Sequence, residues 1–265
     1  MDDTIPFARR LRLRRLSRRD GPGLLVVPLD HAVGSGPLAR PDLDGLLAQL
    51  DAAGTDAVIL HKGALRRVDP ARFRRMSLVL HLNASTALAP DPDAKYPVAT
   101  VPEALSLGAT AVSVHVNIGS ATEDRQVGHL AEVAADCSRW GIPLLAMMYV
   151  RPAASYAGSA GSDPGRLAHA LAVATELGAD LVKTALPSSP AAAARVVGGC
   201  PVPVLAAGGA VDGDSFDRLA VAVGAGAGGI AAGRLVFTAP DPGAMVRRLT
   251  ALLSSSSHAP GVLVG

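Results

Sequence analysis

The chain has 265 residues, 49% of them hydrophobic, enough to bury one large core in the size range where α/β barrels fold as a single unit. Formal net charge is +2, and the first twenty residues hold seven Arg against Asp2, Asp3 and Asp20, which leaves about −2 for the remainder. Such a body has no broad basic field for nucleic acid. Aromatic residues at 3% offer no stacking platform for bases, and Cys137 and Cys200, without zinc spacing, make neither a disulfide framework nor a metal site.

The opening from Ala8 to Arg19 is Arg-rich but lacks a long apolar core, and a strand follows directly. It reads as a short helix closing the bottom of the fold rather than a targeting peptide. No apolar run reaches the roughly 18 residues needed to span a bilayer, so a soluble, cytoplasmic protein with no membrane partner is expected.

Eight apolar runs follow. The first, residues 24–29, ends in Asp30-His31 and turns at Gly34-Ser35-Gly36-Pro37 into a helical pattern over 42–53. The second, 57–60, ends in His61-Lys62-Gly63 and leads to a helical stretch over 69–76. The third, 78–82, ends in Asn83; a loop over 90–97 and a short helix over 102–107 precede the fourth, 111–116, which carries His115 and ends in Asn117. A long helix over 123–140 stops at Gly141, and the fifth run, 143–148, ends in Tyr149. Residues 151–162, rich in Gly, Ala and Ser, read as a mobile lid. Asp163-Pro164 then reads as an N-cap with proline at the first helical position. The sixth run, 179–182, delivers Lys183 at its end, with a helix over 189–197 behind it. The seventh, 202–205, leads to Gly208-Gly209 and a helix over 212–223; the eighth, 229–231, leads to Gly233-Arg234 and a helix over 242–253.

Strands that are apolar throughout fit a parallel sheet covered on both faces. Eight strand-plus-helix units predict a single (β/α)8 TIM barrel over residues 1–253 with a short N-terminal helix, and a flexible tail over 254–265. An open doubly wound sheet is the rival, but no GxGxxG follows the first strand.

In such a barrel the active site is built at the C-terminal strand ends. Asp30, His31, His61, Lys62, Asn83, His115, Asn117, Tyr149, Arg151 and Lys183 collect there. Lysine occurs only at Lys62, Lys95 and Lys183 among 25 cationic residues. An arginine-biased chain keeps lysine where an amine must lose its proton and attack a carbonyl, which guanidinium cannot do; the bland alternative for Lys183 is an ordinary ion pair.

The turns Ala206-Ala207-Gly208-Gly209 and Ala231-Ala232-Gly233-Arg234 offer backbone N–H groups and a guanidinium to an anion, at the usual phosphate position of this fold. An attacking amine must be neutral, so desolvation or a nearby cation has to lower its pKa. Lys62 is a neighbour for that, or equally a contact for a substrate carboxylate. Turning an iminium into an enamine needs a proton-transfer group, and Asp30 and Tyr149 stand on either side; their bland alternatives are a turn cap and packing. His31, His61, His115, Asn117 and Arg151 are candidate substrate contacts. No helix-spaced pair or carboxylate partner makes the histidines a metal site, and no cofactor is expected.

The ordered set Val27-Pro28-Leu29-Asp30-His31, His61-Lys62-Gly63, Val114-His115-Val116-Asn117, Ala146-Met147-Met148-Tyr149, Leu181-Val182-Lys183-Thr184, Ala207-Gly208-Gly209 and Ala232-Gly233-Arg234 resembles a known family. It is that of the class I aldolases of the archaeal fructose-bisphosphate aldolase and 2-amino-3,7-dideoxy-D-threo-hept-6-ulosonate synthase group, and the resemblance covers residues 24–253. It implies Lys183 as the Schiff-base lysine, Asp30 and Tyr149 as proton-transfer groups, and Gly208, Gly209, Gly233 and Arg234 as the phosphate site.

His-Lys-Gly and Met-Met-Tyr look closer to the branch that uses aspartate semialdehyde, and the Ala/Arg-rich composition suits its actinobacterial, grixazone-pathway members. That branch joins dihydroxyacetone phosphate to L-aspartate 4-semialdehyde, giving a C7 amino-keto-phosphate on the way to 3-amino-4-hydroxybenzoate. The alternatives are the ulosonate synthase, fructose-bisphosphate aldolase, a metal-dependent lyase, or a barrel that binds a phosphorylated metabolite without catalysis. The resemblance further implies a homo-oligomer, such as a ring, and a dehydroquinate-synthase-like pathway partner. Ala32, where Gly often follows Asp-His, and Ala207, where a hydroxyl residue sometimes stands, depart from the pattern and bear on donor specificity.

Overall fold

Burial on both faces is what the apolar strands require, and a closed barrel wrapped in helices supplies it. The computed structural model describes residues 5–17, 23–38, 40–151, 163–209 and 211–255. Its barrel strands are β1 (Leu24–Pro28), β2 (Ala57–Leu60), β3 (Ser77–His81), β4 (Ala111–Ile118), β5 (Leu144–Val150), β6 (Leu181–Thr184), β7 (Val204–Ala207) and β8 (Gly229–Ala231). All pair in parallel in chain order, and β1 pairs with β8 to close the ring. The helices are α1 (Phe7–Leu16), α2 (His31–Ser35), α3 (Leu43–Ala53), α4 (Val101–Ser106), α5 (Glu123–Trp140), α6 (Pro164–Glu176), α7 (Pro190–Gly198), α8 (Ser215–Gly224), α9 (Arg234–Phe237) and α10 (Pro242–Ser254). This is the predicted (β/α)8 barrel.

Side chains alternate along a strand, so each strand feeds two cores. Val26, Ile59, Val79, Leu145, Leu181 and Leu205 fill the barrel interior. Their neighbours Val27, Val58, Leu80, Ala146, Val182 and Ala206 pack outward in the core shared with the helices. Leu13 and Leu16 of α1 join the inner cluster, and α1 is pinned to residues at or just before strand starts. Arg9 grips Asp180 through two 2.7 Å hydrogen bonds, Arg12 donates to the Gly141 carbonyl at 2.7 Å, and Ser77 donates to the Arg15 carbonyl at 2.6 Å. The helix therefore seals the N-terminal end and leaves the opposite end open for chemistry.

Asp163 accepts from the Arg166 N–H with Pro164 at the first turn, as its sequence predicts. Over 69–76, by contrast, the expected helix is replaced by one 3-10 segment, Pro70–Phe73, which follows another at Lys62–Arg67; neither fully buries a residue, so little packing holds a longer helix. Tyr149 and Lys183 lie within β5 and β6 rather than beyond them. After β3, Asn83–Ala84 pairs antiparallel with Tyr96–Pro97. Most of the expected lid (152–162), residues 18–19 of the expected first helix and most of the tail (256–265) lie outside the described residues. Among the described residues no helix is long and apolar enough to cross a membrane.

Candidate active site

The inward parity of the strands continues past the apolar layers and there changes chemistry. Two residues beyond Ile59, Val79 and Leu181 come His61, His81 and Lys183, and Tyr149 follows Met147 in the same way. Lys183, only 8% exposed, is paired in register with Met147 on one side and Leu205 on the other, and its Nζ lies 3.9 Å from the Met147 sulfur. The strand runs on through Thr184, whose hydroxyl donates to the Met148 carbonyl at 2.7 Å.

Lys183 sits where two cavities meet. One, of about 210 Å³, is lined by Asp30, His61, His81, Asn83, Ser85 and Lys95. The other, of about 290 Å³, is lined by Arg151, Ala207, Gly208, Gly209, Gly233 and Arg234. His31, His115 and Tyr149 border both. A substrate spanning the two would carry its middle past the lysine.

In the first cavity Asp30 is the electrostatic centre. Burial works to raise its carboxyl, but electrostatic interactions with the side chains around it, His81 first and Lys183 next, outweigh burial and hold it at about 2. His81 Nε2 and His31 Nδ1 each lie 3.7 Å from the carboxylate. Burial pushes His81 down to about 4 and His115 well below the usual imidazole range. Buried neutral imidazoles around an ionised carboxylate can pass protons without carrying fixed charge. His115 donates from Nε2 to Asn117 Oδ1 at 2.9 Å, and its ring lies 4.8 Å from that of Tyr149.

The second cavity is shaped by glycine. At Gly233 a Cβ would lie 2.3 Å from the Pro28 carbonyl oxygen and 2.7 Å from His31, so the turn after β8 closes against β1 only without a side chain. Gly209 adopts φ +65°, which other residues avoid. Arg234 donates to the Gly209 carbonyl at 2.7 Å, tying the two turns together.

The aldolase-family model for DeoC/LacD enzymes matches residues 24–239 of this chain. The chain belongs to the DeoC/LacD family of aldolases. The aldolase is 50% identical over 97% of its length to a Streptomyces griseus 2-amino-4,5-dihydroxy-6-oxo-7-(phosphonooxy)heptanoate synthase, of which it covers 94%. It is 40% identical over 91% of its length to a Halobacterium salinarum 2-amino-3,7-dideoxy-D-threo-hept-6-ulosonate synthase, of which it covers 90%. A solved archaeal fructose-1,6-bisphosphate aldolase, with its catalytic Lys covalently bound to the carbinolamine intermediate of the substrate, superposes with a TM-score of 0.81. That structure is 27% identical, and the match covers 93% of this chain and all of the other. The aldolase is a lysine-dependent enzyme of the Schiff-base class.

Not every residue singled out in the sequence reaches the cavities. Lys62 does not stand beside Lys183: the 3-10 segment after β2 carries it outward to an ion pair with Glu103 at 2.9 Å, against a separate apolar pocket. Asn117 is wholly buried and is used in the scaffold, donating its own backbone N–H to Gln126 Oε1 and its Nδ2 to the Asp93 carbonyl. Arg151 lines the glycine-turn cavity, with its guanidinium 2.7 Å from Asp93. Conversely, His81 and Lys95 line the Asp30 cavity although neither is among the candidates at the strand ends. His81 lies two residues beyond Val79 in β3, so strand parity was a signal for it; Lys95 is in a loop, and only the scarcity of lysine pointed to it.

Among the described residues no group of three or more His, Cys, Asp or Glu side chains is arranged to hold a metal ion.

Proposed function

We propose that this aldolase condenses dihydroxyacetone phosphate with L-aspartate 4-semialdehyde, giving 2-amino-4,5-dihydroxy-6-oxo-7-(phosphooxy)heptanoate. The observation that carries the reading is the position of Lys183, buried at the junction of a cavity with glycine turns and Arg234 and a cavity built around Asp30. The 50% identity to the Streptomyces griseus synthase supports the choice of substrates.

The neutral amine of Lys183 adds to the donor ketone, and the carbinolamine loses water to form an iminium. The adjacent hydroxymethyl carbon gives up a proton, with Asp30 as base, and the enamine so formed attacks the aldehyde carbon. Tyr149 supplies the proton that the new alkoxide takes up. Water then returns to the iminium, releasing the seven-carbon ketone and the free lysine. Gly208, Gly209, Gly233 and Arg234 hold the donor phosphate, and Arg151, His31 and His115 border the chain between. The lysine itself activates the ketone, so the reaction calls for no metal. We also place the enzyme in the cytoplasm as a homo-oligomer, acting before a dehydroquinate-synthase-like step toward 3-amino-4-hydroxybenzoate.

The 40% identity to the Halobacterium salinarum synthase favours a second reading, in which the donor is a deoxyketohexose phosphate. Borohydride reduction of the enzyme with dihydroxyacetone phosphate, followed by peptide mass mapping, tests the first. A stable three-carbon phosphate adduct on Lys183 is expected. An unmodified Lys183, with adduct formed only from the longer ketose phosphate, would transfer the assignment to the second reading.

A further inference from the structure

Of the three lysines, Lys183 is assigned to the iminium and Lys62 is engaged by Glu103 outside both cavities. Lys95 remains, half-buried in the wall of the Asp30 cavity, the one that the donor phosphate does not occupy in the reading above. Its ammonium donates to the Ser85 hydroxyl and to the Pro92 carbonyl at 3.3 Å, both neutral partners. Among the described residues no carboxylate closes an ion pair with it.

Its seat is well braced. Ser85 donates onward to the Pro92 carbonyl at 2.7 Å, the Asn83–Ala84 and Tyr96–Pro97 ladder flanks the loop, and Asn117 and Gln126 both donate to the Asp93 carbonyl within it. Arg151, the other cation nearby, faces Asp93 and borders the opposite cavity.

We infer that Lys95 is the specificity residue that receives the carboxylate of the acceptor aldehyde. The inference rests on the condensation proposed above and adds to it the second subsite: phosphate at the glycine turns, ketone carbon on Lys183, acceptor carboxylate at Lys95. Burial, and next the charge of Arg151, work against the ammonium and outweigh the more distant carboxylates of Asp93, Asp30 and Asp91; an incoming carboxylate in direct contact offsets both. A charged, partly desolvated partner discriminates strongly against an aldehyde that lacks the carboxylate, because the ammonium is then left without its counter-ion.

The test compares kcat/KM for L-aspartate 4-semialdehyde with that for butanal, at fixed dihydroxyacetone phosphate, in the full chain. In Lys95→Met the ratio falls by about 30-fold, the scale of one charge-assisted hydrogen bond. Lys95→Arg, which keeps the charge, restores most of it, and Lys62→Met keeps the wild-type ratio. An unchanged ratio in Lys95→Met, or a collapse in Lys62→Met instead, overturns the subsite and leaves the condensation standing. A wild-type enzyme that forms the donor adduct but does not condense with L-aspartate 4-semialdehyde overturns the condensation, and the subsite with it.

Discussion

His81 stands with its Nε2 3.7 Å from the Asp30 carboxylate, while its Nδ1 meets the Ser113 hydroxyl at 2.8 Å. With its pKa lowered to about 4, the ring is uncharged at neutral pH, and Asp30, held at about 2, is ionised. After His81, the neighbour that does most to lower that carboxylate is Lys183. An ionised carboxylate beside the proposed iminium is placed to take a proton from the donor carbon.

Asp30→Asn should therefore lose proton abstraction more than binding. Turnover is expected to fall by about 10²- to 10⁴-fold, the usual contribution of a positioned base. Exchange of the donor hydroxymethyl protons with deuterated solvent, followed by NMR without any acceptor, should fall in parallel. Exchange near the wild-type rate would assign the base to another group.

The same buried cluster makes stability depend on pH. His31, His61, His81 and His115 are all lowered by burial, so between their folded and unfolded pKa values the unfolded chain binds more protons and stability rises with pH. Asp30, also lowered, adds stability above 3.8 that is lost as pH falls toward 2. The loss thus begins as pH drops through 6.5 and deepens toward 4. His81 alone accounts for about 2 kcal/mol between pH 7.5 and pH 5. Urea unfolding midpoints at those two pH values check this; a flat profile would mean that the imidazoles are already charged in the folded protein.

The barrel was legible because each strand is apolar on both faces, and the glycine turns because backbone closure at Gly233 tolerates no side chain. Lys183 was legible from rarity, but not its depth: a lysine interrupts an apolar run in the sequence, yet strand parity keeps it inside β6. Lys62 shows what the sequence hides. Its motif sits at the right strand end, but the path of the following 3-10 segment turns it toward Glu103, and that partner is 41 residues away. Lys95 shows the converse, brought to the cavity by a loop without periodicity and anchored by Ser85 and Pro92.

Gly233→Ala should damage the donor side without touching the lysine. A Cβ there meets the Pro28 carbonyl oxygen, which belongs to β1 and cannot swing aside as a flexible side chain does. The turn must shift and carry Arg234 with it. KM for the phosphorylated donor is expected to rise by about tenfold or more, with a comparable rise in Arg234→Ala, since each disturbs the charge-assisted contacts proposed for the phosphate. Titration with inorganic phosphate as a competitive inhibitor gives an independent reading. Unchanged inhibition in both variants would move the phosphate away from these turns.

Lys183→Arg and Lys183→Met separate the two roles proposed for this lysine. Arginine keeps a cation beside Asp30 but cannot form the iminium, because guanidinium does not lose its proton. Turnover and borohydride trapping should therefore disappear in Lys183→Arg, while the carboxylate keeps a positive neighbour and its low pKa. Methionine removes the charge as well. Asp30 then keeps the burial that raises its pKa and loses one of the cations that lower it, so its titration moves upward. Carbon-13 NMR of labelled Asp30 carboxyl measures that difference between the variants. Equal titration in both would show that the histidines alone hold the carboxylate ionised, and residual trapping in Lys183→Arg would place the reactive amine elsewhere.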